Sequence, residues 1–363
     1  MKLSSKWTRR TLIWSAAGAL AVASIVAASA ADAAHTTAGS RSAASSGGVG
    51  YPAPKGIYAP FTDCPLTNPL MKEASPSGAV GCIAGDVVSG TIKIGNVTTK
   101  IRAGVTVKYP VTVQFGIWSP QNAAPDEFSG GVLPPPVGGF SAQLFSSPQF
   151  VRGGLEKALG CSTATSATVV KLCTEAQKKG GKYLKVFAAA QTAGPIQNFD
   201  LLTWTQPVMF HLINPLLGNS CYIGSADNPV ELNPVLSTTG SASVEPDPHP
   251  RYHPDTEVLV IPDASATDTT FTASGVTGCG PGGAANIPVD EAIDTAVGLP
   301  TASGSDSITL NGTFYLAATT APNNKSTILL NAFRASARSG GTAVTQRISG
   351  ADLRHWLLEN LKH

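Results

Sequence analysis

Residues 203–240, TWTQPVMFHLINPLLGNSCYIGSADNPVELNPVLSTTG, combine a dense run of apolar side chains with a cysteine and three Asn-Pro pairs. From Val208 to Leu217 both alternating faces are apolar apart from His211 and Asn214, which is typical of a strand buried on both sides. The Asn-Pro pairs favour turns, because a proline biases the residue before it away from helix. The stretch therefore predicts the core of a β-rich domain, and a lone histidine inside it is better explained as a core residue than as a base.

The low share of charged residues and the near-neutral net charge argue against a nucleic-acid-binding protein. Charged residues make up 13% of the 363 residues, which is about half the share in an ordinary soluble domain. The formal net charge is +2, and Lys2, Lys6, Arg9 and Arg10 all lie in the leader described next, so the rest of the chain is close to neutral. We therefore expect no nucleic-acid partner, since binding to phosphates needs clustered Lys and Arg.

The first residues predict export. Residues 1–34 have a basic start, an apolar run up to Ala28 and small-residue cleavage sites, as in a cleaved signal peptide. Arg9-Arg10 also fits a twin-arginine signal, so ordinary secretion and twin-arginine export both stay open. Residues 35–56 are mostly Ser, Gly, Ala and Thr and predict a flexible linker. We expect a secreted, extracellular or cell-wall-associated protein, not an integral membrane protein, because no second long apolar segment follows.

Residues 57–348 predict a mainly antiparallel β region, either one elaborated β-sandwich or two linked sandwiches. Two Asn-Gly or Gly-Asn pairs between alternating arms predict hairpins, Gly95-Asn96 and, most clearly, Asn311-Gly312. A further strand is expected at 327–333.

Three helical segments interrupt or end this β region. A small insertion at 148–180 holds two predicted helices, the second of them ended by Gly180-Gly181. A short helix is expected at 288–297, where Val289, Ile293 and Val297 recur at a spacing of four. Residues 349–363 predict a C-terminal amphipathic helix with a capping box.

The six cysteines, an even number in an exported chain, predict three disulfides. CxxC-type zinc spacing is absent. Many pairings are open, and locality in the chain favours Cys64 with Cys82, Cys161 with Cys173, and Cys221 with Cys279.

One cluster has side chains of the metal-ligand type and comprises Asp247, His249, His253 and Asp255. Two histidines four apart with flanking carboxylates could bind zinc or copper at the surface. However, this spacing brings both rings to one side only in a helix, and the interspersed prolines forbid a helix. A solvated, polyproline-like connector is the favoured interpretation.

No catalytic residue and no cofactor are predicted. The chain has no G-x-S-x-G elbow, no phosphate-binding G-x-x-x-x-G-K-[ST] loop and no H-E-x-x-H helix. The favoured function is a non-catalytic exported or envelope-associated protein that binds a cell-wall or lipid surface component, either lipid or glycan. The alternatives are a secreted hydrolase with an active site near 228–255 and a purely structural envelope module.

Two stretches carry a resemblance. TWTQPVMFHLINPLLGNSCYIGSADNPVELN and GLPTASGSDSITLNGTFYL resemble a group of exported, uncharacterised β-rich proteins of actinobacteria. The resemblance implies an exported, β-rich protein, and it implies no activity.

Overall fold

The structure is a computed structural model that describes residues 52–72, 80–103, 108–118, 129–130, 143–194, 196–200, 202–246, 256–281, 287–319, 325–339 and 346–348. It is mainly β and antiparallel, as the sequence predicts. The strands are β1 (Val80–Ile94), β2 (Val97–Arg102), β3 (Val111–Trp118), β4 (Ser129–Gly130), β5 (Gln143–Ser146), β6 (Gln149–Phe150), β7 (Phe187–Thr192), β8 (Gln197–Asp200), β9 (Thr203–Ile213), β10 (Tyr222–Ile223), β11 (Val230–Leu232), β12 (Val235–Thr238), β13 (Ala242–Pro246), β14 (Thr256–Asp268), β15 (Val276–Thr277), β16 (Ser307–Thr319) and β17 (Gln346–Ile348). The helices are α1 (Pro69–Lys72), α2 (Gly154–Leu159), α3 (Ala167–Lys179), α4 (Ile287–Val297) and α5 (Lys325–Ser339), with short 3-10 helices at Gly56–Phe61 and Gly181–Tyr183.

Three long strands form the middle of the sheet. β16 pairs along its length with β1 on one side and with β14 on the other. The far edge of β1 pairs first with β3 and then with β2, and β14 continues through β12 to β9. β9 then pairs with β7, which pairs with β6.

The sheet is nearly closed into a barrel, and the predicted sandwich is not confirmed. The physical reason is β9, which pairs with β12 near Thr203 and with β7 from Val208 onward. It therefore joins what would otherwise be two separate sheets. The barrel is left open between β2 and β6, which are not paired as strands in the described residues; there the backbone N–H of Arg102 donates to the Gln149 side chain at 3.2 Å.

The hairpin at Gly95-Asn96 is confirmed, since β1 and β2 pair up to Ile94 and Val97. The hairpin at Asn311-Gly312 is wrong, because β16 runs straight through it. Gly312 lies where both neighbouring strands have a register shift. A Cβ atom there would lie 2.1 Å from the backbone oxygen of Asp86. This glycine therefore permits close packing of two strands and does not make a turn.

The helical predictions are partly confirmed. α3 and α4 lie where the apolar spacing placed them, and each buries its apolar face, including Val169 and Leu172 on α3. The first helix of the insertion, expected over residues 149–159, is shorter, since Gln149–Phe150 is strand β6 and the helix begins at Gly154. The strand expected at 327–333 is wrong, because α5 occupies it and buries Phe333 against the outer face of the barrel.

The three predicted disulfides are the pairs that the structure brings together: Cys64–Cys82, Cys161–Cys173 and Cys221–Cys279. Their Cα atoms are 6.0, 5.8 and 4.2 Å apart. Cys64, Cys82, Cys221 and Cys279 are fully buried. Three disulfides indicate an oxidising compartment.

Several predictions lie outside the described residues and stay predictions. These are the signal peptide at 1–34, residues 35–51 of the linker at 35–56, and the C-terminal helix at 349–363.

Candidate functional site: an apolar cavity with a basic groove beside it

One end of the barrel interior holds a cavity of about 110 Å³. Inward-facing side chains of β1, β2, β3, β7, β9 and β16 form its wall, and nearly all of them are aliphatic. An engineered cavity of about 150 Å³ stays dry and takes up benzene, so a space of this size suits one ring or a short alkyl segment. The wall includes Val87, Ile92, Val97, Ile101, Val111, Val113, Ala188, Ala190, Phe210, Leu212, Ile308 and Leu310.

The floor of the cavity is aromatic. Trp204 lines the cavity and packs against Phe115 and Phe314, with ring centroids 6.0 and 6.3 Å away. All three rings are buried, and they fill the rest of the barrel interior together with Ile83, Leu259 and Leu316. The cavity therefore ends at this aromatic layer.

Helices close the other end. Ile293 and Val297 of α4 and Ala158 of α2 line the cavity. The tip of the β1–β2 hairpin is fixed to the end of α4, because the backbone N–H of Asn96 donates to the carbonyl of Val297 at 2.7 Å. A Cβ atom on Gly95 would lie 2.2 Å from the same carbonyl, so only glycine permits this close approach.

Gln206 is a buried polar side chain in the apolar wall. It lies on β9, lines the cavity and is 4% exposed. Its Nε2 reaches the carbonyl of Pro207 at a long 3.5 Å, and none of the described residues donates a hydrogen bond to its Oε1. The oxygen and nitrogen of a glutamine amide can exchange places, and in either orientation one buried polar atom faces the cavity without a partner from the described chain.

A basic groove of about 830 Å³ lies on the outer surface over the opening between β2 and β6. Arg102 and Lys100 come from the outward face of β2, and Arg152 and Lys157 come from the segment around the start of α2. The four cationic side chains are exposed. Among the described residues that line the groove there is no carboxylate.

The cavity and the groove share two residues. Gln149 and Lys157 line both of them. The Lys157 ammonium donates to the carbonyl of Asn96 at 3.3 Å, which holds this side chain across the opening. Beside it, Phe150 is 49% exposed. The opening between β2 and β6 thus separates an apolar interior from a cationic surface by little more than two side chains.

A second group of titratable residues lies on the opposite face of the sheet. Burial raises the pKa of Asp86 to about 6, although the positive charge of Lys108 lowers it. Burial, and then the charge of Asp86, raises the pKa of Tyr315 to about 12. Asp86 shares its face of β1 with Cys82 and Ala84, which pack under α5. This group lines neither the cavity nor the groove.

Of the candidate residues from the sequence, the structure describes His211 and not the Asp and His cluster. His211 stacks on Tyr222 of β10, with ring centroids 4.6 Å apart, and it does not line the cavity. Asp247, His249, His253 and Asp255 lie outside the described residues. Within the described ranges no group of three or more His, Cys, Asp or Glu side chains could hold a metal ion, and no helix there is long and apolar enough to cross a bilayer.

Sequence reasoning missed Gln206 and the basic groove. A signal for the groove is present, because in the second half of β2 the basic residues Lys100 and Arg102 alternate with Thr99 and Ile101. The other half of the groove comes from a distant segment, so the pattern alone does not assemble it.

No protein-family model, curated protein or solved structure matches this chain.

Proposed function

We propose that the protein is a non-catalytic binding protein that takes the apolar part of a lipid-like molecule into the barrel. The observation that carries this proposal is the cavity at one end of the barrel, whose wall is aliphatic and whose floor is Trp204. Apolar surface of this kind favours an alkyl segment or a ring, because transfer of such groups out of water is favourable.

Gln206 favours the interpretation of the cavity as a ligand-binding site over its interpretation as a packing void. A buried amide without a partner costs free energy, and a hydroxyl or N–H group carried on the part of the ligand inside the cavity would supply the missing partner. Few polar groups in an apolar wall are the usual composition of small-molecule sites. A purely structural module has no need of such a side chain.

The place of action that we propose is outside the cytoplasm, secreted or attached to the cell wall. The buried disulfides support it, and the predicted signal peptide and the resemblance to exported actinobacterial proteins agree with it. The ligand would then be an envelope component with an alkyl chain.

The hydrolase alternative receives less support. The active site of a hydrolase is expected near residues 228–255. The described part of this region contains short strands and turns, and in one turn the Ser225 hydroxyl accepts a hydrogen bond from the backbone N–H of Asn228 at 3.0 Å. The raised pKa of Asp86 belongs to the opposite face of the sheet.

The proposal is tested by displacement of an uncharged naphthylamine dye with octanol. Ala190→Leu adds a branched alkyl group to the cavity wall and should abolish dye and octanol binding. Ala167→Leu makes the same chemical change at an exposed site on α3 and should leave binding unchanged. Failure of the wild-type protein to bind either compound would contradict the proposal, as would equal binding by a folded Ala190→Leu variant.

A further inference from the structure

We propose that the ligand is an anionic amphiphile, whose alkyl chain enters the cavity through the opening between β2 and β6 and whose negatively charged head lies on the basic groove. This inference rests on the proposed function and adds the charge of the ligand and its orientation.

The opening lies between β2 and β6. β2 pairs with β1 at one edge and β6 pairs with β7, and the described residues show no strand pairing between β2 and β6. The opening is crossed by side-chain hydrogen bonds, from the backbone N–H of Arg102 to Gln149 at 3.2 Å and from the Lys157 ammonium to the carbonyl of Asn96 at 3.3 Å. Isolated side-chain bonds of this kind open at lower cost than a ladder of backbone bonds. This seam is therefore the place where a chain can pass the wall.

The cavity and the groove differ in size. The cavity, at about 110 Å³, holds only a short alkyl segment or one ring. A longer chain would extend through the seam, where the groove of about 830 Å³ and the exposed ring of Phe150 continue the path. The aliphatic stem of Lys157, which lines both spaces, suits this boundary because its ammonium stays in water.

The charge of the groove favours an anionic head group. Four cationic side chains line the groove, and no carboxylate among the described residues does so. A cationic head group there would be repelled, and an uncharged head would gain nothing from these side chains. Arg102 and Arg152 add planar donors that match a carboxylate or a phosphate.

Three eight-carbon probes distinguish the head groups: octanoate, octanol and octylamine. We expect octanoate to bind about tenfold more tightly than octanol at low ionic strength, since exposed ion pairs contribute modestly and add up. The advantage should shrink at high salt, because the pairs are at the surface. Octylamine, which is a cation at neutral pH, should bind most weakly.

The double variant Arg102→Glu/Arg152→Glu should remove the preference for octanoate and keep the affinity for octanol. The control variant Lys171→Glu/Lys178→Glu makes the same charge change at exposed sites on α3 and should keep the preference.

Equal binding of octanoate and octanol would overturn the anionic head and leave the proposed function intact. Preference for octylamine would do the same. Absence of binding for all three probes would overturn both proposals.

Discussion

Gln206→Met should make the free protein more stable. The change keeps a side chain of similar length and shape and removes the amide whose Oε1 receives no hydrogen bond from the described residues. A buried unsatisfied polar group costs about 1–3 kcal/mol. The bond from Nε2 to Pro207 is 3.5 Å long, so little is lost with it.

The chain offers a matched control. Gln114 is 5% exposed, against 4% for Gln206. Its Oε1 accepts from the backbone N–H of Asp63 at 2.9 Å, and its Nε2 donates to the Thr62 hydroxyl at 3.4 Å. Gln114→Met removes these partners and should destabilise the protein by about 1–3 kcal/mol. The same substitution at equal burial thus changes stability in opposite directions.

The assay is guanidinium unfolding with the disulfides intact, followed by tryptophan fluorescence. We expect Gln206→Met to raise the free energy of unfolding by about 1–2 kcal/mol. Loss of stability in Gln206→Met would show that the amide is satisfied in the free protein. The reading of this side chain as a ligand contact would then be refuted.

Two further predictions concern the sheet itself. Burial raises the folded-state pKa of Asp86 to about 6, from an ordinary value of 3.8, so its ionisation destabilises the fold progressively as the pH rises from about 4 to 6. In urea titrations Asp86→Asn should therefore match the wild-type free energy of unfolding at pH 4 and be more stable by about 1–2 kcal/mol above pH 6. A constant difference across this range would contradict the burial of the carboxyl. Gly312→Ala should lower the free energy of unfolding by more than about 2 kcal/mol, because its Cβ would lie 2.1 Å from the Asp86 carbonyl oxygen. The control Gly194→Ala, whose nearest contact would be at 3.4 Å, should change stability by less than about 0.5 kcal/mol. Equal effects at the two sites would mean that β1 and β16 are not in this register.

The glycines show where local patterns fail. Gly95-Asn96 and Asn311-Gly312 both lie between alternating arms, and only the first is a turn. At the first, the neighbouring residues pair with each other across the turn. At the second, both neighbours of β16 are distant in sequence, and the glycine serves their close approach. A pattern within one segment does not report which partner the segment has.

α5 fails as a prediction for a related reason. Its residues 327–333 suit a strand by composition, but the helix buries Leu330 and Phe333 against the fully buried Tyr58 and Phe61 of the N-terminal segment. The Phe61 ring stacks on Phe333 at a centroid distance of 5.5 Å, and the Tyr58 ring packs against Phe333 at a tilt, at 5.0 Å. Packing against a surface formed by other parts of the chain outweighs a weak local preference.

The sequence by itself determined the features that depend on neighbours along the chain. These include the β-rich class, the β1–β2 hairpin, and α3 and α4, since apolar spacing and turn residues act locally. Locality in the chain also favoured the disulfides Cys64–Cys82 and Cys161–Cys173, whose cysteines are 18 and 12 residues apart. Only the tertiary structure decided the near-closure of the barrel, the cavity above Trp204 and the basic groove at the open seam. Each of these is formed by segments far apart in the chain. Their juxtaposition depends on which strand edges pair, and side-chain periodicity does not specify that choice.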